Sequence, residues 1–388
     1  MPKLEQDIYL VAALRTPIGK FGGALASMTA PQLGVATAKA TIAGCGIDPN
    51  AIDEVIFGNA RQAGVGPNSA RQIAVQSGLR HEVPAYTVNQ ACGSGLRAIM
   101  NAADQIRLGH SEVVLAGGTE SMSNTPYLLT RARWGTKMGD GEVLDGMIRD
   151  GFMCPLADEM MGATAETLAD RYGISRKEQD EYAVETQRRA KRAYDENRFT
   201  NEIVPLEKLA RDEHPRFDTD LSSLAKLPAV FRKDGTVHAG NSSGVTDGAS
   251  SMLVASRTAV EKNRLKPMAR IIGYAHAGVD PKIMGIGPVP ATQKLLKEIG
   301  MSLDDIDLIE LNEAFAAQVI ACDRELHFDR DKLNIHGGAI ALGHPIGCTG
   351  ARITTTLLHA LQSHDKTVGL ATLCISGGMG LSLIVERV

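Results

Sequence analysis

The sequence predicts an α/β protein built from two similar halves with a different kind of segment between them. Three observations predict it. Short apolar runs alternate with helical patterns in the first ~120 residues and again after about residue 248, which is the pattern of a layered sheet-and-helix fold. Between these stretches the alternation stops, from Thr119 to about Asp247, and Met-rich, basic and polar segments replace it. The two α/β stretches also repeat one order: a Cys/Gly-rich turn opens a helix, and a strand then leads to a pair of glycines.

In the first half, Ile8 to Ala13 reads as a strand, Leu33 to Ala43 as a helix, Glu54 to Asn59 as a strand and Ala70 to Gly78 as a helix. Leu96, Ile99, Ala103 and Ile106 follow helical spacing, and Glu112 to Gly118 reads as a strand that ends in glycine. In the middle segment one helix is clear, Arg176 to about Asn197, because Ser175-Arg176-Lys177-Glu178 forms a capping box. Its many charges predict a largely solvated helix. In the second half, Ile306 to Leu311, Lys366 to Cys374 and Leu381 to Val385 read as strands, and Ala314 to Leu326 and Thr349 to Leu361 as helices. The expected boundaries are 1–118 for the first half, completed by about 248–270, then 119–247 for the insertion and 271–388 for the second half.

Composition narrows the function. The chain has 388 residues, 44% hydrophobic and 22% charged, and its 41 basic against 45 acidic side chains give −4. At ~150 residues per domain the prior is two to three domains, and the balance leaves no basic footprint for nucleic acid. No apolar run reaches the ~18 residues of a membrane span, and Ile8 to Leu14 lacks the flanks of a secretory signal. The terminal Glu386-Arg387-Val388 matches no peroxisomal, retention or prenylation signal. Six scattered cysteines without a CxxC pair need no disulfide framework, so a reducing cytoplasm is expected. Forty glycines, about 10% against a usual ~7%, predict places of close backbone approach.

Three glycine-rich stretches carry the chemistry. In Asn89-Gln90-Ala91-Cys92-Gly93-Ser94-Gly95-Leu96 the cysteine stands where a helix begins. There the helix dipole and free amides favour a thiolate and lower its pKa; a buried cysteine in a tight turn is the alternative. The stretch from Asn334 to Arg352 holds five glycines and two histidines. His344, between Gly343 and Pro345, suits a base that activates a nucleophile, with His336 as the competing candidate. With no second ligand at metal spacing, no metal is expected. In Cys374-Ile375-Ser376-Gly377-Gly378-Met379-Gly380 the cysteine at a strand's end faces a crevice, beside amides able to hold an oxyanion.

Together with Arg15-Thr16-Pro17-Ile18-Gly19, Ala116-Gly117-Gly118-Thr119-Glu120-Ser121-Met122-Ser123, Ala239-Gly240-Asn241-Ser242-Ser243-Gly244, Asn312-Glu313-Ala314-Phe315 and Gly343-His344-Pro345, these stretches resemble the thiolase family over essentially the whole chain. The resemblance implies a five-layered fold of two duplicated βαβαβαββ halves with an inserted loop domain for coenzyme A binding and oligomerisation. It implies that Cys92 is the nucleophile acylated by an acyl-CoA, that His344 takes its proton, and that Cys374 moves the α-proton of the second acetyl-CoA. Asn312 would hold a water that, with His344, forms one oxyanion hole; the amides of Cys92 and Ser376 would form the other. Arg216, Ser223, Phe231, Ala239 and Ser243 match coenzyme A-binding positions, and Met161, Met284, Ala314 and Phe315 the acyl-pocket walls. No cofactor is implied, CoA being substrate and product.

The expected reaction is the reversible Claisen condensation of two acetyl-CoA to acetoacetyl-CoA and CoA. The alternative is a degradative 3-ketoacyl-CoA thiolase of β-oxidation with a broader chain-length range. A decarboxylating ketoacyl synthase would carry a Cys-His-His set, against which Cys374 argues. A homodimer or homotetramer is implied, with Arg131 to Asp140 at the tetramerisation loop. Three departures stand out: Met160 where many relatives place a histidine, Ser376 in place of glycine, and Phe152 where leucine is common.

Overall fold

The structure is a computed structural model that describes residues 7–388. The first half runs β1 (Ile8–Arg15), α1 (Ala30–Cys45), β2 (Glu54–Gly58), α2 (Ser69–Gln76), β3 (Ala85–Val88), α3 (Ser94–Arg107) and β4 (Val113–Ser121). An excursion with two long helices follows, α4 (Met161–Tyr172) and α5 (Arg176–Asp195), and β5 (Thr246–Ser256) returns to the sheet. The second half runs β6 (Pro267–Gly278), α6 (Pro288–Ile299), β7 (Leu308–Leu311), α7 (Ala316–Leu326), α8 (Ile346–Ser363), β8 (Val368–Ile375) and β9 (Met379–Arg387).

The duplication is visible in the pairing. The first half is ordered β1-β5-β4-β2-β3, and the second β6-β9-β8-β7. In the first, β2 lies parallel to β3 and β4, while β5 is antiparallel to β4 and β1. In the second, β7 lies parallel to β8, and β9 is antiparallel to β8 and β6. A parallel bridge from Ile309 to Leu333 stands where β3 does in the first half. The halves join where β1 runs antiparallel to β6.

Helices α3 and α8 pack on each other and touch strands of both halves, so they form a middle layer. With α1 and α2 outside one half and α6 and α7 outside the other, the α/β fold has the expected five layers. Glycine makes the middle layer possible. A Cβ on Gly95 would sit 2.7 Å from the Ala351 amide nitrogen, and one on Gly350 2.3 Å from that of Leu96. The two helices therefore cross backbone to backbone, and residues at the N-terminal end of each are brought together.

The structure corrects the expectations for β4 and α5. Strand β4 does not end at its glycines but continues through Gly117 and Gly118 to Ser121. Both are glycine for close contact rather than for a turn: a Cβ on Gly118 would meet the Gly347 carbonyl at 2.3 Å, and one on Gly117 the Ser250 carbonyl at 2.3 Å. Helix α5 carries the expected Ser175–Glu178 capping box but is not largely solvated. Gln179, Asp180, Ala183, Thr186, Gln187, Ala190 and Ala193 form a buried stripe. Small and polar residues pack there, so the face carries little hydrophobic signal in the sequence.

Candidate active site

Each reactive group is delivered by the end of an element. Cys92 lies in the turn between β3 and α3. Ala91 takes a left-handed φ of 45°, a conformation costly for a residue with a Cβ. The Ser94 hydroxyl holds that turn, donating to the Ala91 carbonyl at 2.7 Å and accepting from the Gln90 amide at 2.9 Å. His344 precedes α8. Its amide donates to the Gly244 carbonyl at 3.0 Å, and Gly343 before it has φ 108° with no room for a Cβ beside Thr246. Cys374 is the penultimate residue of β8, followed by a turn whose left-handed positions are Gly377 and Gly378. Ser376 is not one of them, so serine at this position carries no backbone strain.

These groups converge on one cleft of about 450 Å³, mouth included. Cys92, His344, Cys374 and Ser376 line it together with Ser243, Met161, Met284, Ala314 and Phe315. Ala314 and Phe315 reach it because α7 begins at Ala316, two residues later than the sequence predicts. The residues before it are extended, with the Ser243 amide donating to the Ala314 carbonyl at 3.0 Å. Phe231 does not line the cleft but packs edge-on against Phe315, behind its wall. Arg216, Ser223 and Ala239 lie outside the cleft, exposed. Ser223 there completes the capping box of a short helix, its amide donating to Oδ1 of the N-cap Asp220 at 2.7 Å. Asn312 is fully buried, and among the described residues neither atom of its side-chain amide has a partner. His336 is buried elsewhere, its Nε2 3.0 Å from that of His364, which removes it as the competing base.

The electrostatics differ from expectation at Cys92. The backbone N–H groups of Ser376 and Cys92 and the charge of Arg61 favour the thiolate. Desolvation by the surrounding protein outweighs them, so the pKa is raised above the ordinary cysteine value and the resting group is a thiol. Burial holds His344 neutral, its pKa lowered to about 3, with the charges of Arg352 and Arg61 acting in the same direction. Burial, and then the neighbouring Cys92, push Cys374 well above the usual thiol range. The resting site is therefore neutral, with a thiol, an imidazole and a second thiol.

His344 Nδ1 lies 2.6 Å from the Thr349 hydroxyl oxygen, and that hydroxyl donates to the Pro345 carbonyl at 3.0 Å. A hydroxyl has one proton. With it on the carbonyl, the oxygen accepts from Nδ1–H and leaves Nε2 bare to take a proton. Below the site, the buried carboxylate of Glu120 ties the two halves together. It accepts from Asn59 Nδ2 at 2.7 Å and from the amides of Ala60, Arg61 and Gly347 at 3.1, 3.0 and 2.8 Å.

Comparison with known proteins agrees with this geometry. The model of the thiolase N-terminal domain matches residues 8–258, and that of the thiolase C-terminal domain matches residues 265–387. The chain belongs to the thiolase family. It is 50% identical to the acetyl-CoA acetyltransferase of Escherichia coli (strain K12), over 98% of this chain and 99% of that protein. The crystal structure of human mitochondrial 3-ketoacyl-CoA thiolase in complex with CoA superposes with a TM-score of 0.97 at 44% identity, covering 100% of this chain and 99% of that one. The Bacillus anthracis acetyl-CoA acetyltransferase structure gives 0.96 at 45% identity, covering 99% of each chain. The protein is a thiolase and an acyltransferase.

Sequence reading missed several residues of this thiolase's site: Arg61, Gly151 and Ile346 in the cleft wall, Thr349 behind the histidine, and Glu120 beneath. Glu120, Gly347 and Thr349 lay inside or beside quoted motifs, but nothing in their spacing gave them a partner. Of the other cysteines, Cys322 and Cys348 are buried and pushed up to about 12, which leaves them inert at neutral pH. Among the described residues no helix is long and apolar enough to cross a membrane.

Proposed function

We propose that this thiolase condenses two molecules of acetyl-CoA to acetoacetyl-CoA and CoA, reversibly, through an acyl-Cys92 intermediate. The observation that carries the reading is the meeting of two cysteines and a neutral histidine in one cleft. In the first step Cys92 Sγ attacks the thioester carbonyl of acetyl-CoA while His344 Nε2 takes its proton. The bond to the CoA sulfur breaks, and the proton passes to the departing thiolate. A raised thiol pKa fits this step, because the proton then leaves only as the nucleophile attacks. In the second step Cys374 gives its own proton to the free Nε2 of His344 and, as thiolate, removes the methyl proton of the second acetyl-CoA. The resulting enolate carbon attacks the acyl-Cys92 carbonyl, and Cys92 leaves with the proton held by His344, which restores both thiols and the neutral imidazole.

The enolate and the tetrahedral intermediates need donors at their oxygens. One preorganised donor is worth roughly 3–4 kcal/mol. The amides of Cys92 and Ser376 supply one set, and His344 with a water held by Asn312 supplies the other. The unpartnered side chain of Asn312 supports that role, since a buried amide without a partner costs about 1–3 kcal/mol. No cofactor takes part, and CoA enters and leaves as substrate and product. Ser243 in the cleft, Phe231 behind its wall, and Ala239, Ser223 and Arg216 on the surface outside it are the proposed coenzyme A contacts. The wholly exposed segment 131–140, with Trp134 85% and Met138 93% exposed, supports assembly as a homodimer or homotetramer. A cytoplasmic location is proposed on the free cysteines.

Thiolysis of acetoacetyl-CoA compared with longer 3-ketoacyl-CoA tests the substrate. Turnover that disappears beyond four carbons supports the acetyl-specific reading. Undiminished turnover of longer chains replaces it with the degradative one.

A further inference from the structure

Arg61 is an unexpected group to find in this cleft. Its side chain lines the same space as Cys92, His344 and Cys374. The residue is 92% buried, by its 8% exposure, and among the described residues its guanidinium makes no hydrogen bond or ion pair. A buried arginine without a partner is costly, and its donors suit an anion held in a fork. Glu120, the carboxylate whose charge reaches Arg61, does not fill that need. Its oxygens are occupied by Asn59 and three backbone amides, and one of these is the amide of Arg61 itself. Space for the guanidinium is built in: a Cβ on Gly151 would lie 2.3 Å from Arg61 Nη2, so the planar group rests directly on the Gly151 backbone.

The cleft is otherwise apolar along its walls, with Met161, Met284, Phe152 and Ile346 around the reactive groups. A cation among them selects an acyl group that is apolar in its middle and anionic at its far end. We propose that Arg61 binds the terminal carboxylate of a dicarboxylic acyl group, so that the site takes an acyl-CoA such as succinyl-CoA as donor alongside acetyl-CoA. The proposal rests on the acyl-Cys92 reading above. The chemistry is unchanged. Cys92 Sγ displaces CoA from the donor with its proton going to His344 and then to CoA. The enolate formed from acetyl-CoA when Cys374, its own proton passed to His344, takes the methyl proton then displaces Cys92, which leaves with the proton from His344, and the product is a 3-oxo dicarboxylic acyl-CoA.

The test compares succinyl-CoA with butyryl-CoA, a donor of the same length that ends in a methyl group. CoA release on acylation and condensation with acetyl-CoA are followed for the wild-type protein and for Arg61→Met and Arg61→Lys. A charge-assisted hydrogen bond in a buried site predicts that Arg61→Met lowers the succinyl-to-butyryl ratio of kcat/KM roughly tenfold to a hundredfold. Arg61→Lys, which keeps the charge without the fork, retains part of it. An unchanged ratio, with both donors losing rate together, overturns the proposal and places the charge in the service of Cys92. Failure of the wild-type protein to be acylated by succinyl-CoA overturns it equally. If acetyl-CoA itself leaves no acyl group on Cys92, the acyl-enzyme reading falls first.

Discussion

Replacing Thr349 with valine tests the orientation of the base. Valine has the shape of threonine, so the packing of α8 is kept and only the hydroxyl is lost. The Pro345 carbonyl keeps the amides of Cys348 and residue 349, each at 2.9 Å. His344 Nδ1 loses its acceptor at 2.6 Å. Leaving a buried donor unpaired costs about 1–3 kcal/mol. The imidazole escapes that cost by moving its proton to Nε2, which is the nitrogen that must be bare to accept the Cys92 proton. Converted at 1.4 kcal/mol per decade, the acylation rate falls about fivefold to 150-fold. The assay is the burst of CoA released when the enzyme is mixed with acetyl-CoA. Thr349→Ser, which keeps the hydroxyl, restores most of the burst rate. A Thr349→Val enzyme acylated at the wild-type rate refutes the argument that this hydroxyl sets the tautomer.

Three further outcomes follow. Gly95→Ala forces a methyl group against the Ala351 backbone at 2.7 Å and costs about 1–3 kcal/mol or more; a thermal midpoint equal to the wild type contradicts the close crossing of α3 and α8. His344 has its pKa lowered to about 3, so acylation shows no acid limb near pH 6.5, and an inflection there in the burst rate assigns the base to a more solvated histidine. That same depression penalises folding as pH falls from about 6.5 toward 3. Removing the ring with His344→Asn shrinks the pH dependence of the thermal midpoint in that window, and an unchanged slope shows that other groups govern it.

The layered α/β fold, its duplication and most helices and strands were legible because each half alternates two periodicities and repeats one motif order. The boundaries that moved did so for tertiary reasons. Helix α8 begins at Ile346 rather than Thr349 because Pro345 can precede a helix and Gly347 can pass close to Asn59 and Ala60. Strand β4 runs on through Gly117 and Gly118 because neighbouring backbone, not a turn, demands glycine there. The reactive groups were legible because small residues surround them. The groups that tune them were not: Arg61 meets Cys92 and His344 only once the fold closes the cleft, and Thr349 meets the His344 ring only through the shape of the turn before α8, which the spacing of the residues does not show. The expected low thiol pKa at Cys92 failed for a related reason. The dipole and amides are local and visible in sequence, whereas the desolvation that outweighs them comes from the whole fold.

Mass spectrometry of the Cys374→Ala variant after incubation with acetyl-CoA tests the two-cysteine mechanism most directly. One acetyl group on the peptide that contains Cys92, with no acetoacetyl-CoA formed, is the predicted result. An acetyl group elsewhere, no acetyl group at all, or condensation at the normal rate contradicts it.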